Sequence, residues 1–259
     1  MATAGKIDPM HQFTVETLVP LHIGKYDISF TNSAAWMLAT LVVIFFFMWG
    51  GMKRQVVPGR WQMAVEGVTG FIDNLVQVNI GPEGKKFIPF IFSLFAFILV
   101  ANTLGLLPLA IVPGWHTFTP TSHFSITGIL AIVSFSLVLI VGFWRHGLHF
   151  FSLFLPAGTP IWMAPLIIPI EIVSFMVRPF SLALRLFVAM MAGHILMEVF
   201  GSFIVNGLGS GSVLGFGVGI VSFLFIVGVG ALELLICALQ AYVFALLTSL
   251  YLSDAINLH

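Results

Sequence analysis

Hydrophobic residues fill 59% of the 259 positions and charged residues only 8%, with ten basic and ten acidic side chains cancelling to a net charge of zero. A soluble domain carries about 25% charged residues, so soluble classes are excluded and a polytopic membrane protein is indicated. The neutral balance gives no electrostatic case for nucleic acid, and the single Cys237, set in an apolar stretch, offers neither a disulfide framework nor a thiolate metal site.

Residues 1–29 contain Asp8, Glu16 and Asp27 and no long apolar core. They lack the form of a cleavable signal peptide and read as a polar head on the mature chain, ahead of a single membrane domain over 30–259. Residues 30–50, rich in Leu, Val, Ile and Phe, are long enough to cross the roughly 30 Å hydrocarbon layer. In 60–80, Trp61, Val65, Val68, Ile72 and Leu75 recur at helical spacing while Gln62, Glu66, Thr69, Asp73 and Gln77 occupy another face. That pattern predicts an amphipathic helix on the membrane surface. Residues 87–110 and 124–144 form two further spans, separated by a turn through the Pro-, Gly- and Thr-containing stretch from Pro113 to Ser122.

The apolar run 161–205 is too long for one upright crossing, since some 45 helical residues would extend roughly 67 Å. It must be strongly tilted, bent or re-entrant. Gly-rich residues 207–219 reverse the chain, and a last apolar segment, 213–252, carries Glu233 and Gln240. The fold expected is therefore all-α, with about five membrane helices, one surface amphipathic helix and a C-terminal hairpin of long tilted helices. No repeat of fixed period and no inverted duplication is visible.

Lys53, Arg54, Arg60, Lys85, Lys86 and Arg145 fall on one side of this arrangement, and Lys6 and Lys25 on the other. The basic excess marks the cytoplasmic side, which puts the N-terminus outside and, after five crossings, the C-terminus in the cytoplasm.

Arg178 and Arg185 lie within the apolar run 161–205. A central Arg costs roughly 2.5–3.5 kcal/mol on insertion scales, and such residues usually face a protein interior or an aqueous cavity on an ion path. At 100° per residue, Glu171, Ser174, Arg178, Ser181 and Arg185 fall within about 80° of one another and form a polar stripe. Pairing of Glu171 with Arg178 is a structural alternative for those two, but it leaves Arg185 unexplained. Pro179 removes a backbone donor, so a carbonyl is freed close by.

His194 falls half a turn round from Arg185, with Glu198 one turn further on its own face. On the last helix Glu233, Gln240 and Tyr251 share a side. His194 and Glu233 therefore occupy the two arms of one hairpin, where either can titrate near neutral pH if burial raises the carboxyl pKa. These groups outline two polar entrances, one at Glu171 and Ser174 and one at His194, Glu233 and Gln240, with the fixed charge of Arg185 between them. An opposite charge within about 4–6 Å lowers a carboxyl pKa, so Arg185 can keep a partner's carboxylate ionised. The residues alone also allow an ion-coupled transporter working unaided, with Arg185 binding an anionic substrate. A membrane enzyme using Glu171, His194 and Glu233 fits poorly, because they lie on different helix faces and no His-rich metal spacing occurs. A purely structural anchor would tolerate a neutral residue at position 185.

The segment from Ser181 to Phe187 (SLALRLF), with Glu171 fourteen residues before Arg185 and Glu233 seven before Gln240, resembles subunit a of F-type ATP synthases. Asn102 to Pro108 (NTLGLLP) and Tyr251-Leu-Ser support the resemblance, which covers the whole membrane part. It implies a stator subunit whose C-terminal hairpin packs on a ring of c subunits bearing proton-carrying carboxylates, with peripheral-stalk b subunits as further partners. Arg185 would be the family's essential arginine. His194, Glu233 and Gln240 would belong to the half-channel open to the periplasm, and Glu171 and Ser174 to the one open to the cytoplasm. Arg178, Glu198, Asn102 and Tyr251 are supporting candidates.

Two departures are visible. Many bacterial members carry Glu where this chain has His194 and His where it has Glu233, an exchange shared with mitochondrial and alphaproteobacterial forms. The family's usual Asn four residues after the arginine is Ala189 here. The resemblance implies no catalytic site, cofactor or metal on this chain, and the Gly-rich turn lacks the Lys-Ser/Thr ending of a P-loop. The expected location is a bacterial inner membrane, with the mitochondrial inner membrane as the alternative.

Overall fold

The computed structural model describes residues 13–20, 22–23, 26–27, 29–52, 57–107, 118–154, 161–209 and 211–257. Lys6, Asp8, Lys25, Lys53, Arg54, Pro108 and Pro113, which enter the sequence reading, lie outside these residues. Among the described residues six α-helices carry the fold: α1 (Asn32–Gly51), α2 (Arg60–Ile80), α3 (Ile88–Gly105), α4 (Phe124–His146), α5 (Ala164–Gly209) and α6 (Val213–Ile256). All but α2 belong to segments long and apolar enough to cross a membrane. The all-α polytopic fold expected from composition and periodicity is the fold found.

The N-terminal segment holds four short strands that the sequence reading did not anticipate. β1 (Thr17–Val19) pairs antiparallel with β4 (Phe30–Thr31), and β2 (His22–Ile23) with β3 (Tyr26–Asp27). Strands of two or three residues are too short for alternation to register as a pattern. They lead directly into α1, where the Thr31 hydroxyl accepts from the Ala34 N–H and the Asn32 amide donates to the Thr14 carbonyl at 3.2 Å.

In α2 the apolar residues buried at helical spacing are Val65, Ile72, Leu75, Val76 and Ile80; Val65 lies against Gly51 of α1, and the other four join a core cluster with residues of α3 and α6. Gln62, read as part of the polar face, is instead buried and donates to Glu66 at 2.7 Å, while on the exposed face Gln77 donates to Asp73 at 2.9 Å. Trp61, read as part of the apolar face, is instead exposed. Its indole leans on the end of α1 and donates to the Phe47 carbonyl at 3.0 Å.

The core lies where α6 meets the other helices. Glu233, Cys237, Ala241, Phe244, Ala245, Thr248, Ser249 and Leu252 are all buried, a stripe spaced by three and four residues. Small residues there let helices approach closely, and the Thr248 hydroxyl hydrogen-bonds Ser134 of α4 at 2.8 Å. At the far end the His146 ring meets the Ile256 carbonyl at 3.1 Å, so the C-terminal ends of α4 and α6 lie together. Arg145, beside His146, pairs with Glu83 in the 3-10 turn Pro82–Phe87 that precedes α3. Lys85, Lys86, Arg145 and the end of α6 therefore share one side of the molecule.

The segment 161–205, for which tilt, bending or re-entry were open, forms one continuous helix through Pro169 and Pro179 after a short 3-10 turn. Re-entry is thus replaced by a helix of roughly 69 Å, more than twice the hydrocarbon thickness, which must lie strongly tilted. Pro179 leaves the Phe175 carbonyl without its helical donor. At the hairpin tip a Cβ on Gly207 would stand 2.6 Å from the Gly215 carbonyl oxygen and 3.0 Å from the Gly219 nitrogen, both backbone atoms that cannot give way. Gly207→Leu should therefore lower stability by roughly 1–3 kcal/mol, read as an earlier thermal unfolding transition in detergent micelles than wild type.

Candidate functional site

The antiparallel register of α5 and α6 sets the height of each polar group. Gly207 lies against Gly219, the Phe200 ring stacks on Phe225 at 5.3 Å, Gly193 abuts Glu233, and Met190 Sδ is 3.9 Å from Cys237 Sγ. Continuing that register brings Gln240 level with Leu186 and Phe187, next to Arg185.

His194 and Glu233 come together in the seam between the two helices. Their relative exposures are 8% and 1%, so neither meets bulk solvent, and His194 Nε2 stands 3.9 Å from Glu233 Oε1. Neither Glu233 carboxyl oxygen has a hydrogen-bond partner among the described residues. The carboxyl fits only because position 193 has no side chain: a Cβ there would lie 2.6 Å from Glu233 Oε1 and 2.7 Å from Cδ. A buried carboxyl with free acceptors beside an imidazole is equipped to exchange a proton. Glu198, one turn beyond His194, is half-buried.

The loop before α4 closes this site from the side. The Thr119 hydroxyl is 2.7 Å from His194 Nε2, on the side of the ring that also faces Glu233. The Thr121 hydroxyl donates to Asn102 Oδ1 at 2.5 Å, while the fully buried Asn102 Nδ2 has no partner among the described residues. Asn102, Thr119, Thr121, His194 and Glu233 thus form a buried polar cluster inside otherwise apolar packing. Thr119 and Thr121 were missed from sequence because the loop has no periodicity to mark which hydroxyls turn inward.

A second cluster gathers near the N-terminal part of α5. Arg178 pairs with Glu171 at 3.8 Å and with Asp254 at 3.2 Å, and its guanidinium lies 5.1 Å from the Tyr251 ring centroid. The Glu171–Arg178 pair weighed as a structural alternative is present, but it is about one-third exposed and is shared with Asp254. Ser174, one turn along the stripe, is exposed. Asp254 was not read from the sequence; its signal was an acidic residue close to the end of an otherwise uncharged last turn. This cluster and the His194–Glu233 cluster do not touch.

Arg185 lies between them along α5, its charge within electrostatic reach of Tyr251 in the second cluster but ion-paired with neither. Its side chain is on an exposed face of the helix, and among the described residues no carboxylate is within ion-pair distance of it. On a helix apolar enough to cross a membrane, a charge so placed is costly, which makes Arg185 a candidate functional residue. Val177, Phe180 and Val188, large side chains near it on α5, are also exposed.

The model of the ATP synthase A chain family matches residues 34–253. Among curated relatives, ATP synthase subunit a of Novosphingobium aromaticivorans is 63% identical over 98% of this chain and 99% of its own length. Those of Erythrobacter litoralis, at 60%, and Zymomonas mobilis, at 58%, each align with 100% of the chain and cover 99% and 100% of the relatives. A match across nearly all of the membrane helices, joined by full-length identity near 60%, establishes that the chain belongs to the ATP synthase A chain family.

Proposed function

We propose that this chain is the proton-conducting stator of an ATP synthase membrane sector, supplying two offset half-channels and the charge that separates them. The observation that carries the reading is Arg185: a cation on the exposed face of a long apolar helix, with no acidic partner among the described residues. A rotor carboxylate presented in the membrane by a ring of c subunits completes that pair. Each carboxylate facing Arg185 is held ionised, because the neighbouring cation favours its charged form. Protons then bypass Arg185 only by riding the ring.

His194, Glu233 and Gln240 line the entry from the periplasm in this reading, with Asn102 beside them and Glu198 at the outer margin. His194 and Glu233 exchange the proton, and Gln240, level with Arg185, hands it toward the rotor. Glu171 and Ser174 line the exit to the cytoplasm, where Arg178 and Tyr251 tie α5 to the end of α6. The side shared by Lys85, Lys86, Arg145 and the end of α6 is the cytoplasmic one, by the excess of basic residues. The N-terminal head is then periplasmic, in a bacterial inner membrane, and the peripheral-stalk b subunits hold the chain against rotation. ATP chemistry belongs to other subunits. One proton crossing 100 mV yields about 2.3 kcal/mol, too little for one ATP, so several crossings must be summed by rotation.

Arg185→Ala in the assembled complex, measured in inverted membrane vesicles, should abolish ATP-driven proton pumping, with or without an added passive leak. Pumping at the wild-type rate would refute the separating role. Gly193→Ala provides an independent test: Ala favours a helix over Gly by roughly 1 kcal/mol, so assembly should be kept. The new methyl displaces the Glu233 carboxyl, however, and the pumping rate per assembled complex should fall several-fold.

A further inference from the structure

We propose that Thr119 is the positioning residue for His194, its hydroxyl holding the imidazole so that Nε2 stays turned to Glu233. The inference rests on the reading of His194 and Glu233 as a proton path. A single ring nitrogen is addressed by both groups: Nε2 is 2.7 Å from Thr119 Oγ1 and 3.9 Å from Glu233 Oε1. An imidazole that gains and loses a proton at that nitrogen alternates between donor and acceptor. A hydroxyl can answer both, accepting from Nε2–H and donating to bare Nε2, so the ring keeps its hydrogen bond in either state.

The hydroxyl is not needed to hold its own loop. The Thr119 carbonyl accepts from the Ser122 N–H at 3.0 Å and from the Ser122 hydroxyl at 2.7 Å, Thr121 is anchored on Asn102, and the Phe118 ring stacks on His123 at 4.9 Å. Thr119 is 4% exposed, and the space its hydroxyl occupies exists because position 105, at the end of α3, is glycine: a Cβ there would overlap Thr119 Oγ1. The end of α3, the loop before α4, and helices α5 and α6 thus surround the contact between this hydroxyl and one ring nitrogen. Between them, the Gly105 and Gly193 notches seat both neighbours of the imidazole.

The test uses the assembled complex in inverted vesicles, with ATP-driven proton pumping normalised to the amount of complex. Thr119→Val keeps the side-chain shape without the hydrogen bond and should lower the rate about three- to tenfold, while Thr119→Ser keeps the hydroxyl and should retain at least half of it. Thr119→Ala repeats the comparison without the added methyl, should the valine reduce assembly. Equal losses in the Ser, Ala and Val variants would overturn the inference, because the hydroxyl would then not be the cause. Wild-type pumping by Thr119→Val beside impaired pumping by His194→Ala would overturn it alone. Wild-type pumping by His194→Ala would overturn the proton-path reading and this inference with it.

Discussion

The packing of α6 into the seam beside α5 is the constraint on which the other features depend. Two helices of 46 and 44 residues run antiparallel from a tip whose glycines let the backbones meet. That close approach fixes the register, and the register decides which polar side chains of one helix face which of the other. It also divides the surface of α5. Leu182, Ala183, Leu186, Met190 and His194 are buried, the last two against α6, whereas Arg185 turns out. An arginine and a histidine nine residues apart on one helix thereby meet different environments, one facing outward and one sealed among helices and a loop.

Burial has different consequences for the two clusters. Around Glu233 the carboxyl has been withdrawn from solvent without receiving a hydrogen bond, an expensive arrangement that apolar residues of similar volume would avoid. Its place within a core stripe of small and apolar residues is what the proposed proton-exchanging role accounts for. Around Arg178 the charges are paired and partly open, with two carboxylates and an aromatic ring serving one guanidinium. That cluster fastens the start of α5 to the end of α6. Glu171 within it is partly exposed and Ser174 beside it exposed.

Much of this was legible in the sequence because membrane helices must satisfy their backbone internally and announce themselves as long apolar runs. The amphipathic pattern of 60–80 likewise predicted the buried Val65, Ile72 and Leu75. Helical angles correctly separated His194 from Arg185, and the seven-residue spacing of Glu233 and Gln240 placed them on one side. What one helix wheel cannot show is the relation between two helices or between a helix and a loop. The approach of Asp254 to Arg178, the contact of Thr119 with His194, and the notch at Gly193 depend on tertiary register, which no periodicity encodes. Trp61 illustrates the reverse case: its spacing matched the apolar face, but an indole N–H needs an acceptor, and the Phe47 carbonyl drew it to the margin.

On the proposed reading, the spacing along α5 requires a moving partner. Glu171 precedes Arg185 by fourteen residues and His194 follows it by nine, which on a straight helix are separations of roughly 21 and 14 Å. Neither is bridged by a hydrogen bond, and the two clusters lie toward opposite ends of a helix longer than the bilayer is thick. On the proposed reading a static wire of water past Arg185 would short-circuit the gradient, and a fixed guanidinium charge would oppose it electrostatically. Proton transfer between the clusters on the proposed reading therefore needs a carrier that accepts the proton on one side of Arg185 and releases it on the other. On that reading a ring of carboxylates turning against the exposed face of α5 meets the requirement, and Arg185, which has no acidic partner among the described residues, faces it.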